Sequence, residues 1–152
     1  MEMDGTRVIA ADRATVWARL NDAETLKACI PGCQELSGSP EEGFEATVVQ
    51  KVGPVKATFK GAVSLSNVVP GESYTISGEG KGGVAGFAKG GADVSLLDVE
   101  GGTELTYKVV AQVGGKLAQL GSRIISGFAR KMSDQFFERF QEEVEATGDA
   151  EA

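Results

Sequence analysis

Histidine is absent from the 152-residue sequence. Its absence excludes a Ser-His-Asp triad, imidazole acid–base catalysis and every histidine-ligated metal site. Cysteine is scarce, with Cys29 and Cys33 alone. Two thiols cannot build the disulfide framework of a small secreted domain, and one C-x3-C pair without other soft ligands cannot complete a zinc site. The expectation is two reduced, partly buried thiols, no metal and no cofactor. No apolar run approaches the roughly 20 residues of a membrane span. The opening Met1-Glu2-Met3-Asp4 is acidic and lacks the apolar core of a secretory signal, so a cytoplasmic protein is expected.

What is present fits a globular chain. Hydrophobic residues make up 41% and charged residues 24%, enough for a core without staples. Fifteen basic residues face 22 acidic ones, for a net charge of -7. Such a chain is a poor nucleic-acid binder, because phosphate contacts need clustered Lys and Arg. Glycine is the outlier at 21 residues, about twice the usual share of roughly 7%.

The pattern changes period twice. Met3 to Ala11 reads as a strand. Asp12 can cap a short helix over Arg13 to Leu20, and Asp22 a second over Ala23 to Cys29, ended by Pro31-Gly32. From Phe44 the period is two. Phe44, Ala46, Val48 and Val52 share a side, with Gln50 the exception, until Gly53-Pro54 turns the chain. Val55, Ala57, Phe59, Gly61, Val63 and Leu65 then alternate with polar or small residues, the mark of a half-buried antiparallel strand. Further alternating runs carry Tyr74 and Ile76, then Ala88 to Leu96, then Leu105 to Val113. Beyond Gly114-Gly115 the period becomes helical. Leu117, Leu120, Ile124, Phe128, Met132, Phe136, Phe140 and Val144 predict one long amphipathic helix from about Lys116 to Glu145. The fold expected is α+β. A curved antiparallel sheet of about seven strands grips that C-terminal helix, with two short helices after strand 1. One domain is expected over residues 1–146, with a frayed acidic tail over 147–152.

The inward face is uneven. Phe59, Tyr74, Ile76, Leu96, Leu105 and Tyr107 are large, whereas Gly61, Gly78, Gly80, Ala88, Gly90, Ala92 and Ala111 are small. Either the helix presses close there, through Gly121, Ser122, Ser126 and Gly127, or an apolar space is left for a ligand. Gly78 to Gly83 fits G-x-G-x-x-G but lies among strands, with no amphipathic helix behind it, so dinucleotide binding is not expected.

Four stretches carry a family resemblance. Val16-Trp17 and Asn21-Asp22 lead to Ile30-Pro31-Gly32-Cys33. Val52-Gly53-Pro54-Val55-Lys56 precedes Phe59-Lys60-Gly61. Gly78 to Gly91 is a glycine-rich strand pair. Gly102 to Tyr107 leads into Val113-Gly114-Gly115-Lys116-Leu117-Ala118 and Gly121-Ser122-Arg123. In these the chain resembles the G-subunit family of carbon monoxide dehydrogenase, within the START-like, polyketide-cyclase-like (SRPBCC) superfamily, over most of residues 3 to 141.

The resemblance implies a helix-grip fold with a deep apolar cavity. It also implies a noncatalytic accessory role beside a molybdenum hydroxylase such as carbon monoxide dehydrogenase. That role is attaching the enzyme to the inner face of the cytoplasmic membrane, as a peripheral protein, or carrying a quinone between the two. Some members reach the membrane through a long C-terminal extension. This sequence stops at Ala152 on an acidic tail, so either such an anchor is missing from this version or contact uses the body of the domain.

The candidate ligand residues are Phe59, Tyr74, Ile76, Phe87, Ala92, Leu96, Tyr107, Val109, Leu120, Ile124 and Phe128. Tyr74 and Tyr107 are the polar groups able to meet a quinone carbonyl. Lys116, Arg123, Arg130 and Lys131 form a basic stretch suited to anionic head groups or an acidic partner, or simply a solvated helix face. Three readings stay open: a carrier of a quinone-like or lipid ligand, a recruitment protein with an incidental cavity, and a cyclase-like enzyme using Asp93 or Glu79 as base.

Overall fold

The computed structural model describes the backbone of residues 1–151 and the side chains of residues 1–146. The expected frayed tail over 147–152 therefore lies outside the residues whose side chains are described.

The chain runs β1 (Glu2–Ile9), α1 (Arg13–Leu20), α2 (Ala23–Cys29), β2 (Cys33–Ser39), β3 (Gly43–Val52), β4 (Val55–Val69), β5 (Ser73–Lys81), β6 (Phe87–Val99), β7 (Gly102–Gly114), α3 (Lys116–Gln119) and α4 (Ser122–Glu151). A single 3₁₀ turn, Gly83–Ala85, links β5 to β6. The strands form one antiparallel sheet in the order β1-β7-β6-β5-β4-β3-β2. The long helix lies in its concave face, which is the helix-grip arrangement the alternation predicts.

Each strand offers one parity to the helix. Phe44, Val52, Tyr74, Val94, Leu96, Leu105 and Tyr107 are buried, while their sequence neighbours point outward. The exception Gln50 is resolved by its partner, since its side-chain amide donates to the Pro31 carbonyl. That bond also ties β3 to the end of α2. Asp22 caps α2 as expected, accepting from Thr25 N at 3.1 Å and from Thr25 Oγ1 at 2.7 Å. Asp12 occupies the N-cap of α1 but makes no side-chain capping bond.

Two expectations need correction. The C-terminal helix is broken: α3 ends at Gln119, and Gly121 at φ +90° separates it from α4. Only glycine adopts that backbone cheaply, so the break is written into the residue. The helix face also restarts in a new phase after it. Ile125, 8% exposed, points at the sheet, while Ile124 is 43% exposed. Ser126 and Gly127 are exposed as well, so they do not press the helix against the small residues of the sheet.

The core has two parts. A large cluster joins α1, α2, the far ends of the strands and the second half of α4, through Ile9, Val16, Leu105, Phe137, Phe140 and Val144 among others. A small one holds Val52, Leu117 and Ile125 where α3 meets the sheet. Between them the helix and sheet stand apart.

Candidate functional site

The gap between the two clusters is an apolar trough in three connected lobes. An outer lobe of about 460 Å³ lies under α3 and the first turns of α4, lined by Val52, Phe59, Val113, Leu117, Ile125 and Phe128 among others. An inner lobe of about 320 Å³ is lined by Phe44, Tyr74, Ala92, Tyr107, Val109 and Phe137 among others. A more open space of about 380 Å³ over Gly78, Gly80 and Gly90 joins them, sharing Phe59, Ala88 and Ala111 with the outer lobe and Gly61, Ile76 and Ala92 with the inner. Neither the outer nor the inner lobe is lined by a carboxylate, lysine or arginine.

The small residues make this space in two ways. Gly78 and Gly90 are register partners on β5 and β6. A Cβ at Gly90 would lie 2.2 Å from the Val110 carbonyl oxygen, and one at Gly78 would lie 2.3 Å from Val63 Cγ1. Both positions thus let backbone and neighbours approach more closely than any side chain allows, as a sharply bent sheet requires. Ala88, Ala92 and Ala111 then leave the room above the sheet unfilled.

The structure brings together Phe59, Tyr74, Ile76, Ala92, Tyr107, Val109 and Phe128 along the trough. It separates the remaining candidates. Leu96 is 6% exposed within the large core cluster and lines no lobe. Phe87 stands opposite Gly114 on the outward parity of β6, where its ring covers that glycine. Leu120 and Ile124 pack beside the β3–β4 turn, 4.0 and 3.6 Å from where a Gly53 Cβ would be. Sequence reasoning missed Val113, Leu117 and Ile125 as outer-lobe residues, and Phe44 and Phe137 as inner-lobe residues.

The inner lobe holds the few polar groups. Among the described residues, neither Tyr74 nor Tyr107 makes a hydrogen bond through its hydroxyl. The Tyr107 hydroxyl lies over Gly5 of β1, away from the lobe. Tyr74 stays at the lobe, held edge-on by Trp17 at a centroid distance of 5.2 Å, and burial pushes its pKa far above the ordinary phenol value. Asn21 also lines this lobe. Its Nδ2 donates to the Trp17 carbonyl at 2.9 Å, which fixes the amide and leaves Oδ1 buried without a partner among the described residues. Asp93 and Glu79 are both exposed, and Asp93 accepts a 2.8 Å bond from Thr75. Lys116, Arg123, Arg130 and Lys131 are all exposed. Cys29 is buried and Cys33 half-buried, both free thiols. Among the described residues no helix is long and apolar enough to cross a membrane.

A curved sheet wrapped on one long helix around an apolar trough defines the helix-grip, START-like class. The family model for the G subunit of carbon monoxide dehydrogenase (CoxG) matches residues 5–145, and the chain belongs to that family. Among solved structures, a conserved protein from Geobacillus kaustophilus is 28% identical, with a TM-score of 0.89 over 97% of both chains. An uncharacterised protein from Rhizobium leguminosarum shares 15% identity and a TM-score of 0.73, over 96% of this chain and 95% of its own. A protein from Thermus thermophilus shares 14% identity and a TM-score of 0.71, over 97% and 99%. The last two show the fold alone. No protein of curated function matches the sequence.

Proposed function

We propose that residues 1–146 form a single-domain, noncatalytic accessory protein of a molybdenum-hydroxylase system related to carbon monoxide dehydrogenase. It holds a quinone-like or other apolar ligand in the trough and links the enzyme to the cytoplasmic membrane or its quinone pool. The observation that carries this reading is the trough itself, an apolar space between helix and sheet with carboxylate-free outer and inner lobes. A folded chain does not leave such space empty at no cost, because unfilled lining forfeits dispersion contacts. A ligand restores them.

Tyr74 and Asn21 support the orientation. A quinone carbonyl placed in the inner lobe accepts from the Tyr74 phenol, and the hydroxyl of the reduced, quinol form donates to Asn21 Oδ1, which is buried without a partner among the described residues. Leaving that acceptor unbonded costs about 1–3 kcal/mol, so a head group bearing a hydroxyl is favoured over a plain alkane. An isoprenoid tail then follows the glycine floor to the outer lobe. Asp93 lines none of the lobes and Glu79 borders only the open connecting space with an exposed side chain, so the cyclase-like reading has no base in the outer or inner lobe. Native mass spectrometry after mixing the protein with a membrane lipid extract tests the proposal. The expected result is a retained mass matching a quinone. Retention of no apolar molecule would overturn it.

A further inference from the structure

The hydrogen-bonding groups of the inner lobe do not balance. Among the described residues, Asn21, Tyr74, Tyr107 and Ser133 are the polar side chains in its lining. Tyr107 takes no part, because its hydroxyl lies over Gly5 of β1. Ser133 on α4 gives its hydroxyl proton to Met3 Sδ at 3.8 Å, so its oxygen keeps only acceptor capacity. Asn21 Nδ2 gives one of its two hydrogens to the Trp17 carbonyl, and Oδ1 has no donor among the described residues. Donors around the α1–α2 joint are committed elsewhere. Arg19 Nε goes to Thr25 Oγ1 at 2.8 Å, and the Thr25 hydroxyl and amide both go to Asp22. Tyr74, whose ring abuts Trp17 beside Asn21, makes no hydrogen bond and can donate or accept.

The two redox forms of a quinone answer this imbalance differently. They share one ring and one tail. The oxidised form carries two carbonyl oxygens, which only accept. It can take the Tyr74 proton and the remaining Asn21 hydrogen, but it leaves Asn21 Oδ1 and Ser133 Oγ unbonded. The reduced form carries two hydroxyls, which donate as well as accept, so it brings the protons that the lobe lacks. No lysine or arginine lines the inner lobe, so a deprotonated, anionic form of the ligand meets no counter-charge there.

We infer that Asn21 makes the inner lobe selective for the reduced, neutral, hydroxyl-bearing form of its ligand over the oxidised form. The inference rests on the carrier reading and deepens it. A site with a buried acceptor rejects the analogue that lacks the matching hydroxyl, because the acceptor is then left unpaired. One orphaned acceptor sets the scale, and a preference of about tenfold follows from it. Tighter binding of the reduced form raises the potential of the bound two-electron couple, by about 30 mV for tenfold. The favoured form is the one made when a quinone takes up two electrons and two protons. It is the product of an enzyme that passes its substrate's electrons to quinone, so the carrier holds most firmly what such an enzyme releases.

Anaerobic calorimetric titration of the full chain compares three probes with one ring and one tail: decylubiquinone, its quinol, and the dimethyl ether of that quinol. The quinol should bind about tenfold more tightly than the quinone. The ether is reduced but has no hydroxyl to donate, so it should lose that advantage. Asn21→Leu should bring the quinol and quinone affinities together. The ratio is taken on one folded protein, so a general loosening of the α1–α2 joint does not move it. The ether needs no substitution and tests the inference even if Asn21→Leu fails to fold. Equal affinities in the parent, tighter binding of the quinone, or an ether that keeps the full advantage would overturn the selectivity and leave the carrier reading standing. A ratio unchanged in Asn21→Leu would overturn the assignment to Asn21. Binding of none of the three probes would overturn the carrier reading and this inference together.

Discussion

The ring of Tyr107 on β7 lies stacked on that of Phe137 on α4, with centroids 4.7 Å apart and planes 18° from parallel. This contact clamps the helix to the sheet beside the inner lobe. Phe136 meets Phe137 edge-on at 5.0 Å and Phe140 nearly parallel at 5.9 Å, so the clamp is a four-ring cluster. Phe128, about two and a half turns before Phe137, has a lobe beside it as well but no ring stacked on it. Phe137→Ala should therefore cost about 3–5 kcal/mol, the range for deleting a buried ring. Phe128→Ala should cost clearly less. Urea titration of both variants checks the difference.

Ala92 lies opposite Ile76 and Val109 in the register and faces both the inner and the connecting lobes. Ala92→Phe places a ring in space that is open, so the melting temperature should be retained while binding of a soluble short-chain quinone is lost. Packed surroundings would instead make the change cost roughly 1–3 kcal/mol. Melting temperature and fluorescence quenching on the one variant separate the outcomes.

Burial pushes the Cys29 thiol from 9.0 up to about 11, with the Glu143 carboxylate acting in the same direction. Between those pH values the unfolded chain loses this proton while the native protein keeps it. The unfolded state then binds fewer protons, so stability falls as pH rises through the window. Tyr74, raised by burial in the same sense, adds to the fall at higher pH. Cys29→Ala should flatten the decline above pH 9.0 relative to the parent in chemical unfolding across that range.

Thr25's hydroxyl, ahead of its backbone amide and Arg19, holds the Asp22 carboxyl below its ordinary pKa, with desolvation opposing. Asp22→Ala removes the cap of α2 and should cost about 1 kcal/mol. The cap's contribution is present above the ordinary carboxylate pKa and is lost as pH falls, so the gap between parent and variant should narrow in acid. Thermal unfolding at neutral and acidic pH measures it.

Much of this architecture is legible in the residues. The alternation from Val55 to Leu65 is clean because β4 has one wet face, and Gly53-Pro54 and Gly101-Gly102 mark turns that glycine permits. Other features are not legible. Strand β2 carries only Leu36 as an inward aliphatic residue, lies at the sheet edge and has a register shift between Cys33 and Glu35, so no period of two survives. The helix phase fails at Gly121, because a break resets which of two adjacent isoleucines faces the sheet. Phe87 is read with the apolar inward face, yet its parity opposes that of Ala88, Gly90 and Ala92. The trough is one of two alternatives from sequence, since glycine and alanine mark close packing and open space alike.

The most direct test of the carrier account is titration with a soluble short-chain quinone while following Trp17 emission, because Trp17 abuts Tyr74 at the inner lobe. The account predicts saturable quenching at a single quinone per chain, displaced by a long-tailed quinone and abolished in Ala92→Phe. Linear quenching without saturation, with the same slope in Ala92→Phe, would contradict it.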